Sequence, residues 1–326
     1  MNTQTVPAQG IRWDHTSTAE GHKTRRRGLW WKALIGGFLL WLATVLVTVL
    51  TRNVNLVPTV ILLGSFLVPF VAALFAAERI KGFTAVHLAV TFAVAGICGV
   101  LGASLLESTL AATPWVYVLV GLIEELVKLA LLVIVGWRVV PKTAGQGALL
   151  GVAVGAGFAG FESAGYAFTA AITQDGVDII GVIQTEVFRA LLSPVGHMLW
   201  TAIIGAAIFG AASGRPRFRL AWQIPVAYIG ASLLHSLWDS LSQITLYIAL
   251  LVSGDALPVL RYYGRLPMGL ADEVSARSLM LYVIGLVIVT ALGIGALLLE
   301  LYIYRRKRAK NRSDDPAEPN QTAALP

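Results

Sequence analysis

Charge and cysteine are both scarce in this chain. Charged residues are 13% of its 326 residues, too few to cover the surface of a soluble domain of that length. A single cysteine, Cys98, excludes an intramolecular disulfide framework and a cysteine-ligated zinc site. It lies inside an apolar block and is expected to be a small buried apolar side chain. Alternating segments of about ten residues, the mark of an outer-membrane barrel, are missing. So are H-E-x-x-H, the helical signature of soluble zinc peptidases, and G-x-S-x-G, the serine nucleophile elbow.

What the chain has in abundance is long apolar runs. Hydrophobic residues make up 56% of it and the mean hydropathy is +0.73. The runs cover 29–51, 54–77, 83–106, 114–139, 144–172, 182–212, 220–251 and 277–304. Runs of this length read as membrane-spanning helices. The expected fold is therefore all-α, a polytopic bundle of about eight transmembrane helices occupying 29–304. Residues 1–28 and 305–326 read as short, basic, disordered tails. A cleaved signal peptide is not expected, because the first run is about 20 residues long and lacks a small-residue cleavage site. The basic residues fix an orientation. They cluster in the N-terminal tail (Lys23, Arg25, Arg26, Arg27), in alternate loops (Arg79 and Lys81; Arg138 and Lys142; Arg215, Arg217 and Arg219) and from Arg305 to Arg308. Loops of the other parity carry little positive charge, so both termini are expected in the cytoplasm. This pattern reflects membrane topology and not nucleic-acid binding.

An ionisable side chain at the centre of a bilayer costs about 2.5–3.5 kcal/mol on insertion scales and faces protein or water. Several such residues fall in 114–251. The fourth run carries Glu124, Glu125 and Lys128, with Glu124 and Lys128 about 40° apart on a helix, so that Lys128 can pair with one of the acids. The fifth carries Gly147, Gly151 and Gly155, a small-residue stripe for close helix packing, and then Glu162 on the same side. The sixth carries Glu186, Arg189, Ser193, His197 and Thr201 on one arc, with Pro194 one turn before His197, where a kink would open backbone carbonyls. Glu186 and Arg189 are spaced to form an ion pair. In the seventh, Tyr228, Ser232, His235, Asp239, Ser242 and Gln243 share a face, and Asp239 is placed to set the tautomer of His235. Depth counted along the helices puts the two histidines and Glu124 and Glu162 between the midplane and the outer leaflet. Of the other histidines, His15 and His22 lie in the tail and His87 is expected to be structural.

Two histidines and a carboxylate with one open position can hold a catalytic zinc ion, and a further glutamate can serve as general base. The ordered motifs Glu124-Glu125-x-x-Lys128, Gly157-Phe158-x-Gly160-Phe161-Glu162 with Tyr166, Arg189 with Pro194-x-x-His197-x-x-Trp200-Thr201, and His235-x-x-Trp238-Asp239 resemble those of the PrsW family. These are bacterial intramembrane proteases, usually classed as metalloproteases, that begin regulated cleavage of a membrane-bound anti-sigma factor. The set is also similar to the wider superfamily of CAAX prenyl proteases and bacteriocin-processing relatives. The resemblance covers about residues 114–245. It implies an active site of Glu124, Glu125, Glu162, His197 and His235, supported by Lys128, Arg189 and Asp239, with His197, His235 and Glu162 as ligands of a zinc ion. It further implies a single-pass membrane protein as substrate and a bacterial cytoplasmic membrane as location. Ser163 stands where the family often has asparagine, which implies the loss of any hydrogen bond from that amide. Water activation by glutamate without a metal, as in CAAX-type relatives, is the alternative chemistry. A transporter or channel using the same acids and histidines, and a non-catalytic scaffold, are the alternative functions.

Overall fold

A computed structural model describes residues 28–80, 84–111, 113, 115–174, 176–212 and 214–313. The N-terminal stretch with His15, His22 and Arg25–Arg27, the loop residue Lys81, Asp175, and the tail from 314 onward lie outside the described residues. The elements are α1 (Leu29–Thr51), α2 (Val57–Ala77), α3 (Ala85–Glu107), α4 (Val116–Gly136), α5 (Ala144–Ala171), β1 (Ile172–Thr173), β2 (Gly176–Val177), α6 (Ile179–Leu192), α7 (His197–Ala211), α8 (Gln223–Val252), α9 (Ala256–Tyr263) and α10 (Met268–Ser313).

Helix starts are set by local chemistry. Thr84 and His87 form a reciprocal capping box on α3, which gives His87 the structural role its isolation implied. Asp178 Oδ1 accepts from Gly181 N at 2.9 Å to open α6. The start of α1 is capped from outside: Glu78, just past α2, accepts from the amides of Gly28 and Leu29 at 3.2 and 2.8 Å. The end of α4 is closed by buried Lys142, which donates to the carbonyls of Gly136, Trp137 and Val139 at 2.9–3.0 Å.

α5 is the axis of the bundle, with 78% of an 18-residue apolar stretch of it buried. Its glycine stripe meets the backbone of α7. A Cβ on Gly147, Gly151 or Gly155 would collide with the carbonyl of Gly205, Thr201 or His197 respectively. Gly157, on another side, lies equally close to the backbone of α3 at Phe92 and Gly96. Small residues thus let α5 touch two neighbours at once. The spans of α1 and α10, by contrast, are only 11% buried.

Among the described residues six spans are long and apolar enough to cross a membrane, or seven when α8 and α9, bent by 102°, count as one. α4, 21 residues long, carries Glu124, Glu125 and Lys128 and is not among them. The sixth apolar run is broken at Ser193–Gly196 into α6 and α7, because Pro194 has no amide to donate. The long seventh loop contains α9 and the start of α10. α10 continues to Ser313, so Arg305, Arg306, Lys307 and Arg308 ride on a helix and not in a disordered tail. No glycine or proline interrupts 296–313. The two-residue hairpin β1–β2 between α5 and α6 was not expected, nor was Cys98, which is exposed on α3 rather than buried.

Candidate active site

Lys128 is the hub of the polar cluster. It is fully buried, and its Nζ donates to Glu124 Oε2 at 3.0 Å and Glu125 Oε1 at 2.9 Å. The sequence reading gave it one acid; it serves both. It also lies 2.8 Å from His197 Nδ1 and 4.0 Å from the centre of the Phe158 ring. Facing an ammonium, Nδ1 of His197 is an acceptor, so the ring hydrogen is on Nε2. That nitrogen lies 2.7 Å from Glu162 Oε2.

His197 is the first residue of α7, straight after the break at Gly196. Its carbonyl is held by Thr201 Oγ1 at 2.7 Å, and Gly155 of α5 leaves room for it. His235 comes from α8 through a similarly close approach. Gly121 of α4 has no room for a Cβ beside the Ser232 carbonyl and Ser236 Oγ, and Tyr228 Oη donates to the Leu122 carbonyl at 2.8 Å. These contacts seat buried His235 with Nδ1 3.0 Å from Glu125 Oε1. A carboxylate at that nitrogen selects the tautomer with hydrogen on Nδ1 and a lone pair on Nε2. Asp239, expected beside His235, lies 3.3 Å from Nε2, alongside Glu124 Oε2 at 3.7 Å. Among the described residues no hydrogen bond reaches Nε2, and Glu125 Oε2 is likewise buried without a partner.

Arg189 pairs with Glu162, not with Glu186 as its spacing suggested. Its Nε donates to Ser163 Oγ at 2.8 Å, and its guanidinium stacks 4.2 Å from the centre of the Tyr166 ring. Ser163 therefore holds a hydrogen bond of its own where the resemblance implied a lost one. Glu186 points away from the cluster and accepts from Trp41 Nε1 of α1 at 2.8 Å. The reason is helix rotation: one turn separates Glu186 from Arg189, enough for each to find a partner on a different neighbouring helix.

Two cavities open onto this cluster. One, of about 210 Å³, lies among α5, α6, the 193–196 turn, α8 and α10 and is lined by Glu162, Arg189, His197, Trp238, Asp239 and Tyr282. The other, of about 420 Å³, lies toward α3 and α4 and is lined by Glu107, Tyr117, Glu124, Glu162, Tyr166 and Asp239. Glu162, Tyr166 and Asp239 line both. Glu125 and Lys128 line neither and sit behind the site. The sequence reading missed Glu107, Phe188 and Tyr282. Glu107 left a signal, an acid closing an otherwise apolar run, whereas the aromatics gave none. The rings of Phe188 and Tyr282 stack at 6.5 Å across the first cavity.

Glu124, His197 and His235 each offer a ligand atom, all within 4.8 Å of one another. The expected set has Glu162 in place of Glu124; the oxygen of Glu162 nearest the histidines pairs with Arg189 and His197. The group fits a divalent metal on two counts. His235 Nε2 is buried without a hydrogen-bond partner among the described residues. Four carboxylates, Glu124, Glu125, Glu162 and Asp239, face two cations, Lys128 and Arg189, an acidic excess of two that complements a dication. Imidazole and carboxylate ligands suit zinc among other divalent ions.

The model of the PrsW family of intramembrane metalloproteases matches residues 57–263, well over half of the chain and from α2 to the end of α9. No curated protein and no solved structure matches it significantly.

Proposed function

The chain belongs to the PrsW family of intramembrane metalloproteases, and from that premise we propose that it is an endopeptidase of the bacterial cytoplasmic membrane. Its substrate is a single-pass membrane protein of the anti-sigma-factor kind, cut near the outer leaflet. The observation that carries this reading is the buried Glu124–His197–His235 group opening onto two cavities. Both cavities lie toward the end of the bundle opposite the basic loops. Glu162 is 18 residues from the start of α5, about 27 Å along it. All eight apolar segments cross the bilayer in this reading, with α4 paying for its charges by internal pairing.

Glu124, His197 and His235 would hold the metal, taken to be zinc, with Lys128 ceding Nδ1 of His197 to it. Bound there, it supplies Lewis-acid polarisation of water and of the scissile carbonyl. The remaining chemistry belongs to the chain. Glu162 faces both cavities and takes a proton from the attacking water as its oxygen bonds to the carbonyl carbon. The same carboxyl returns that proton to the amide nitrogen as the C–N bond breaks. The guanidinium of Arg189, aligned by Ser163 and Tyr166, faces the negative charge that develops on the carbonyl oxygen. Glu125 fixes the tautomer of His235, and Lys128 balances the two acids beside it.

The test is cleavage of a tagged single-pass membrane protein co-reconstituted with the purified chain in liposomes. Wild type cleaves it and a chelator stops cleavage. Glu162→Gln and His197→Ala each lower the rate at least about 100-fold with unchanged thermal unfolding. Equal cleavage by wild type and both variants would overturn the assignment.

A further inference from the structure

At the end of the bundle that carries the basic loops, far from the catalytic cluster, an open groove of about 530 Å³ runs between the start of α5, the end of α2 and the face of α10 that carries Leu297 and Leu301. Its walls change character along the bundle axis. The inner part is lined by Leu149 and Val152 of α5 and Leu297 and Leu301 of α10. The mouth is lined by Arg79, just past α2, and by Arg305 and Arg308 on the extension of α10. Leu297, Leu301, Arg305 and Arg308 follow at spacings of four, four and three, so one face of α10 carries the whole gradient. Leu297 to Arg308 covers about 16 Å at a helical rise. Its last part, from Arg305, is a stretch that the sequence reads as disordered tail.

Two further observations concern the mouth. Arg79 is held in place: its Nη1 donates to the Phe75 carbonyl at 2.9 Å and its guanidinium lies 3.4 Å from the Phe75 ring centre. Gln146, in the first turn of α5, is 92% buried in the groove wall, and its side-chain oxygen has no hydrogen-bond partner among the described residues. An orphaned acceptor of this kind calls for a hydroxyl donor. Guanidinium forks suit phosphate, and apolar walls at membrane depth suit an acyl chain. A soluble anion meets only the mouth, while a neutral lipid meets only the inner walls.

We propose that this groove binds one anionic glycerophospholipid with a hydroxylated headgroup. Its phosphate lies among Arg79, Arg305 and Arg308, a headgroup hydroxyl donates to Gln146, and an acyl chain runs between α5 and α10. Basic pockets between membrane helices on the cytoplasmic side commonly take such headgroups. The bound lipid ties α10 to the start of α5, the helix that carries Glu162.

The experiment is thermal unfolding of the full-length protein in neutral detergent, titrated with dioctanoyl phosphatidylglycerol, dioctanoyl phosphatidylcholine or inorganic phosphate. Phosphatidylglycerol is expected to raise Tm saturably, with an apparent Kd at least tenfold below that of phosphatidylcholine, and inorganic phosphate to give no shift. Two variants attack opposite ends of the groove. Arg305→Gln/Arg308→Gln removes charge from the mouth, and Leu301→Trp fills the inner part with the arginines intact. Each is expected to weaken phosphatidylglycerol binding at least tenfold, while Arg217→Gln/Arg219→Gln, a charge removal at the same end outside the groove, leaves it unchanged. The unliganded unfolding transition in the same scans reports the fold of each variant. The proposal is overturned by equal shifts from phosphatidylcholine or phosphate, or by undiminished binding in whichever groove variants fold.

Discussion

At the scale of the residue, the chemistry concentrates on how a few side chains divide a small number of hydrogen bonds. Glu124 and Glu125 are adjacent in sequence but differ in place. Glu124 reaches both histidines and lines a cavity, whereas Glu125 is sealed between Lys128 and His235. Glu125→Gln keeps the shape but weakens the partner of His235 Nδ1 and leaves Lys128 one carboxylate short. By the usual effect of outer ligand-orienting groups it should weaken metal affinity about 10- to 100-fold without removing a ligand. A competition titration against a metal indicator measures this, and unchanged affinity would mean that Glu125 does not position His235. These ionisable residues stood out in the sequence because they interrupt apolar runs where nothing cheap explains them. Which oxygen meets which nitrogen did not, because angles along one helix say nothing of the rotation of its neighbours. That is why the sequence pairs Lys128 with one partner where the structure has three, and Arg189 with the wrong acid.

At the scale of the element, the packing of α5 against α7 places His197. The stripe Gly147, Gly151, Gly155 was legible as a close-packing surface, although its partner was not. The break before His197 was signalled by Pro194, but its depth, a turn of 3₁₀ helix and a restart, depends on tertiary contacts. The hairpin β1–β2 and α9 are short, and short elements leave weak periodic signals. Gly155→Val would press a side chain onto the His197 carbonyl and the Met198 Cα, with backbone on both sides of the contact. It should cost about 3 kcal/mol, the upper end for overpacking, and abolish activity. Gly165→Ala, in the same helix with open space around it, should change stability by less than about 1 kcal/mol and toward the stabilising side. Denaturation in detergent compares the two, and equal tolerance of both would contradict the close α5–α7 contact.

At the scale of the whole molecule, the bundle separates two kinds of charge. Acids and histidines gather inside toward one end, and arginines ring the other. In the cell the positive end should face the cytoplasm. With Cys98 replaced by serine, Gln174→Cys in the hairpin should react with a membrane-impermeant maleimide on intact cells, and Arg217→Cys only after permeabilisation; the reverse pattern would invert the orientation. Long apolar runs and alternating basic loops made this architecture legible. The grouping of Glu124, rather than Glu162, with the two histidines was not, because it arises only when four helices pack. The most direct measurement is therefore the metal content of the detergent-purified chain, prepared without chelator, as wild type, Glu124→Ala, His197→Ala/His235→Ala and Glu162→Gln. We predict close to one divalent metal per chain in wild type and in Glu162→Gln, and loss of it in the other two. A chain without metal, or a metal that survives in the double histidine variant, would contradict a metalloprotease centre built on Glu124, His197 and His235.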